Sequence, residues 1–90
     1  MNNERRTNIN STVAKLNSLK EEMRKLLFEV KTIKQDEIQQ YSAYLNDKKD
    51  LTKWVNINAV INLHSAHKFA AHSIDDITSI IYYLETASKY

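Results

Sequence analysis

From Val60 to Leu84 the chain keeps a helical beat: Val60, Leu63, His67, Ala70, Ile74, Ile77, Ile81 and Leu84 follow one another at alternating steps of three and four. That spacing draws one row along one face of an α-helix. Ala59, Ala66, Phe69, Ala71, Ile80 and Tyr83 widen the face. From Trp54 onward only Lys68, Asp75, Asp76, Glu85 and Lys89 carry formal charge. A helix this apolar needs neighbours on more than one side.

The first half carries a second helical pattern. Ile9, Leu16, Met23 and Val30 fall at one heptad position and Leu19, Leu26 and Ile33 at another, with Val13 and Leu27 flanking them. This spacing predicts a coiled-coil-like seam of more than three heptads, read as Leu19, Leu26 and Ile33 facing the partner helix. After Ile33 the next seam positions would be Glu37 and Gln40, while Ile38, Tyr41, Tyr44 and Leu45 continue on a shifted face. A stutter or a break near Lys34–Asp36 explains this, and one long helix to about Leu45 with a local shift is the expectation.

Between the two patterns, Asn46–Asp47–Lys48–Lys49–Asp50 is polar and rich in turn formers, and Asp50 is placed to cap the second helix. Ser73–Ile74–Asp75–Asp76 has the form of a capping box, yet the seam runs through it in phase, which favours an unbroken helix. The predicted fold is therefore all-α: an antiparallel, coiled-coil-like hairpin of two long helices, which could be broken into three or four. Residues 1–8 are expected as a frayed tail and 9–90 as one domain, with helices over about 10–45 and 51–88 and a turn at 46–50. Helices of that length measure roughly 55 Å each and match as hairpin partners. Two helices make a thin core, so the hairpin is expected to assemble into a helical bundle.

Composition strengthens the helical reading. The 90 residues include no glycine and no proline, where average usage gives roughly six and four or five. Sheets and tight hairpins thus lack their usual turn residues. No cysteine is present, which excludes disulfides, thiolate nucleophiles and cysteine metal sites and fits a reducing interior. The first residues lack a signal-like apolar core and no run reaches eighteen apolar residues, so a cytoplasmic protein without a membrane span is expected. Net charge is +2, split into +3 over residues 1–53 (eleven Lys/Arg, eight Asp/Glu) and −1 over 54–90 (two and three). The first helix is the solvated one and the second the buried one.

Chemistry-bearing clusters are few. No nucleophile stands beside a base, no glycine-rich loop could cradle phosphate and no acids are paired in an apolar setting, so neither catalysis nor a cofactor is expected. His64, His67 and His72 with Asp75 and Asp76 are the one group of metal-ligand types. They lack an HExxH spacing, and His67 lies on the seam, where a polar residue sets register; no metal site is expected. Lys20, Arg24, Lys31 and Lys34 fall along one side of the first helix and could meet nucleic-acid phosphates, although Glu21, Glu22 and Glu29 are interleaved and no stacking aromatic lies among them. Trp54, Ile57, Ile61, Phe69, Ile80 and Tyr83 are the apolar flank residues that the first helix cannot cover. The expected function is a non-enzymatic protein-interaction module, an adaptor, inhibitor or chaperone-like partner. It would act as a homo-oligomer, with a dimer favoured, or with another protein. The alternative is a nucleic-acid-binding hairpin dimer using the basic stripe.

Overall fold

In the computed structural model, which describes all residues from Met1 to Tyr90, the chain is an antiparallel hairpin of two long helices and contains no strand. Helix α1 spans Asn3–Asn46, a single 3₁₀ turn spans Leu51–Lys53, and helix α2 spans Ile57–Ala87. The molecule is a rod of 70 × 15 × 12 Å, with a radius of gyration of 20.4 Å. A compact domain of this length would have a radius of gyration near 12 Å.

The helix ends follow local chemistry. The side chain of Asn2 accepts from the Arg5 amide, so α1 starts at Asn3 rather than near residue 10, and the expected frayed tail is helical. Arg6 reaches across to donate from Nε to the Ser88 carbonyl at 2.9 Å, setting a cation against the negative end of α2. The Met1 ammonium bonds the Tyr90 carbonyl beside it. These contacts hold the chain ends together and give the first residues a reason to be ordered.

The connection is longer than the five-residue turn expected. Asp50 does cap, but it caps the 3₁₀ turn, with its carboxylate accepting from the Thr52 amide at 3.0 Å and the Thr52 hydroxyl at 2.6 Å. These hydrogen bonds hold the Asp50 carboxyl below its ordinary pKa, the hydroxyl contributing most. Lys53 adds an ion pair to Asp47 at 3.4 Å. The cap of α2 is instead Asn56, whose side chain accepts from the Asn58 amide at 2.9 Å. The second helix therefore begins at Ile57, not near residue 51. No residue in the connection adopts positive φ, which is how the chain turns without glycine.

Both helices are unbroken, including at Lys34–Asp36 and at Ser73. Ser73 is not a cap: its hydroxyl donates to the Phe69 carbonyl one turn back, as Thr12, Thr32, Ser65 and Thr78 do to theirs. Polar side chains satisfied in this way sit in a helix interior at little cost.

The seam of α2 is the expected one. That of α1 is not. The least exposed residues of α1 are Ile9, Val13, Leu16, Lys20, Met23, Leu27, Val30, Lys34, Glu37, Tyr41 and Tyr44, an uninterrupted alternation of fours and threes. Val13 and Leu27, expected as flanks, are in the seam, while Leu19, Leu26 and Ile33, expected in it, are 45–54% exposed. The apparent stutter after Ile33 disappears in this phase, because Lys34 and Tyr41 continue the Val13–Lys20–Leu27 row and Glu37 and Tyr44 continue the Ile9–Leu16–Met23–Val30 row. The cost is a seam containing two lysines and a glutamate, and Ile77 and Ile81 are the only residues of ninety that are buried.

Candidate functional site

Helix α1 carries more apolar surface than α2 can cover, and its excess lies to one side. Leu19, Leu26 and Ile33 each precede a seam residue of α1 (Lys20, Leu27, Lys34). In an antiparallel pair such positions share a side with those preceding the matching seam residues of α2: Ala59, Ala66, Ser73 and Ile80 before Val60, His67, Ile74 and Ile81. The joined chain ends and the connection at 47–56 fix the register, bringing Leu19 level with Ile80, Leu26 with Ser73 and Ile33 with Ala66. Phe69 and Tyr83, both 69% exposed, border this side on α2, with the exposed Asp76 between them in the same row. No charged residue occupies its two central rows between Thr12 and Gln40 or between Ala59 and Ala87.

The opposite side is mixed. Arg24, Lys31, Ile38 and Leu45 of α1 share it with Ile57, His64, Ala71, Thr78 and Glu85 of α2, and Phe28, Ile61 and Tyr82 lie farther out. The six expected interaction residues therefore do not form one patch. Phe69, Ile80 and Tyr83 belong to the Leu26 side, and Ile61 to the Arg24 side. Trp54 and Ile57 join Tyr41, Tyr44, Val55 and Asn56 around a shallow hollow of about 260 Å³ at the turn end. The rings of Tyr41 and Tyr44 are tilted at 37° with centroids 6.3 Å apart. The Tyr82 and Tyr83 rings meet edge to face at 5.2 Å. Sequence reasoning missed Leu19, Leu26 and Ile33 as exposed residues. The signal that finds them is Tyr41, which stays in phase with the row through Val13 and Leu27 and not with the row through Leu19 and Leu26.

The basic candidates separate as well. Lys20 and Lys34 are half-buried in the seam, and only Arg24 and Lys31 remain on the outside. Arg24 forms an ion pair with Glu21 one turn back. Lys34 Nζ donates to His67 Nδ1 at 2.9 Å, which requires the imidazole to be neutral with its proton on Nε2. Desolvation in the seam lowers the His67 pKa, and the nearby charges of Lys34, Lys31 and His64 lower it further. His67 is thus the polar seam residue expected, paired with a lysine. His64 and His72 are exposed, outside the seam, and no three His, Asp or Glu side chains converge to hold a metal ion. No helix is long and apolar enough to cross a membrane. Comparison with known protein families, with curated proteins and with solved structures returned no match.

Proposed function

We propose that this chain is a non-enzymatic protein-interaction module, a small helical adaptor, inhibitor or chaperone-like partner that works by offering an apolar helical face. One observation carries this reading: two residues of ninety are buried, while an uncharged row of Leu19, Leu26, Ile33 and Ile80 with Phe69 and Tyr83 runs along the outside. Apolar patches of this extent are characteristic of association surfaces. The accessible area of 6905 Å² exceeds the roughly 5,400 Å² of a compact monomer of this mass by about 1,500 Å². The lack of cysteine agrees with work in a reducing compartment such as the cytoplasm. Nucleic-acid binding is less well supported, since Lys20 and Lys34 are half-buried and Arg24 is paired.

The test is a photo-crosslinking residue introduced at Leu26 and, separately, at Lys25, which turns toward solvent. Position 26 is expected to give protein adducts that persist at high salt, because apolar burial is not screened; position 25 is expected to give few. Adducts to nucleic acid, lost at high salt and in Arg24→Ala, would contradict the proposal and favour the basic-stripe alternative.

A further inference from the structure

The geometry points to a second copy of this chain as the occupant of the Leu26 face, completing a four-helix bundle; this rests on the proposed interaction role and specifies its partner. The apolar arc of α1 spans the seam row Leu16–Met23–Val30 and the outer row Leu19–Leu26–Ile33. Its centre therefore aims beside α2, into the groove between the two helices, where a further helix would lie. Self-complementarity selects the occupant. A two-fold interface needs a surface that contains its own complement, and this one carries a large row on α1 (Leu19, Leu26, Ile33) and a mostly small row on α2 (Ala59, Ala66, Ser73) in matched antiparallel register. Rotation about the long axis of the rod sets α1 of one copy over α2 of the other at the same height. Ile33 then meets the Ala66 position, Leu26 the Ser73 position and Leu19 the Ile80 position of the second copy. Small residues opposite large ones allow the close approach that interdigitated bundles require.

The area agrees with this occupant. From their fractional exposures, Leu19, Leu26, Ile33, Ile80, Phe69 and Tyr83 offer at most roughly 600–700 Å² per copy, so that their complete burial in a pair reaches about 1,300 Å², the low end of the ~1,200–2,000 Å² of stable specific interfaces. The Arg24 side is less suited to self-pairing: rotation of the same kind sets Arg24 and Lys31 of one copy against a row whose only carboxylate is Glu85.

Sedimentation of the full chain over a micromolar concentration series tests the proposal. The expected mass is twice 10.5 kDa, that is 21 kDa. Leu26→Asp is expected to return a helical species at the monomer mass, because Leu26 lies outside the hairpin seam. Phe28→Asp, at a site 70% exposed on the other side, is expected to remain dimeric. Because the chain has no cysteine of its own, mixing a tagged Ile33→Cys chain with an untagged Ala66→Cys chain is expected to give the mixed disulfide on oxidation. A wild-type monomer throughout the series would overturn the proposal, as would a Leu26→Asp dimer. If the wild type is monomeric while position 26 still crosslinks a different protein, the second copy is refuted and the interaction role stands. If position 26 crosslinks nothing, both fail.

Discussion

Replacing Ile77 and Ile81 together with alanine is expected to unfold the hairpin near room temperature. These are the two buried side chains, 8% and 9% exposed, and lie one turn apart on the seam of α2. Truncating a buried isoleucine to alanine costs about 2–5 kcal/mol. In a seam only partly closed to water the lower end applies, or roughly 4 kcal/mol for the pair. The chain has little to lose: ~0.05–0.15 kcal/mol per residue is usual, and an elongated hairpin with so small a core belongs at the bottom of that range. Far-ultraviolet circular dichroism and a thermal melt check this, with Tyr82→Ala as the control. Tyr82 neighbours Ile81 in sequence but is exposed, so its truncation is expected to cost less than about 1 kcal/mol. A double variant that melts like the wild type would remove Ile77 and Ile81 from the centre of the fold.

The second large effect concerns the polar pair inside the seam. Lys34→Leu with His67→Leu replaces a half-buried ammonium and an imidazole with side chains that suit their surroundings, and is expected to raise stability, read as a higher denaturant midpoint. It is also expected to flatten the dependence of stability on pH. In the folded chain the His67 pKa is lowered, first by desolvation and then by Lys34, Lys31 and His64. As pH falls below the ordinary histidine value of ~6.5, the unfolded chain takes up this proton before the folded one does, so the wild type loses stability on acidification. Above that value both states are neutral at His67 and the effect vanishes. Denaturant midpoints across mildly acidic to neutral pH report it. The single variant His67→Leu is expected to remove this component while keeping Lys34, whose flexible stem can carry its charge outward. An unchanged acid limb in His67→Leu would show that the pH response arises elsewhere.

Much of the architecture was legible in the sequence because two independent signals agreed. The absence of glycine and proline removed the alternatives to helix, and the steps of three and four from Val60 to Leu84 set the phase of α2, which the structure keeps from Val60 through Leu84. The phase of α1 was harder to read for a physical reason. It carries two apolar rows on either side of Ile9–Leu16–Met23–Val30, one through Leu19–Leu26–Ile33 and one through Val13–Leu27–Tyr41, and the second is interrupted by Lys20 and Lys34. Hydrophobicity alone favours the first row. The geometry of a single straight helix favours the second, since only that row reaches Tyr41 without a stutter, and a lysine can cover apolar neighbours with its methylenes. The same ambiguity scattered the candidate surface: Phe69, Ile80 and Tyr83 were recognisable as uncovered, but their companions across the groove were assigned to the interior. The ends and the connection depend on contacts between residues far apart in sequence, such as Arg6 with Ser88, and local spacing carries no trace of them.

If the hairpin's own core is incomplete and is finished by a partner on the Leu26 face, its stability must depend on that partner's concentration. Thermal melts over a roughly hundred-fold range of chain concentration test this most directly, because association stabilises by mass action. Each tenfold step is worth about 1.4 kcal/mol, so the wild-type Tm is expected to rise by about 5–10 °C across the range. Leu26→Asp is expected to melt lower and at a temperature independent of concentration. A wild-type chain that melts cooperatively at one high temperature at every concentration would mean that two helices suffice, and would contradict an incomplete core.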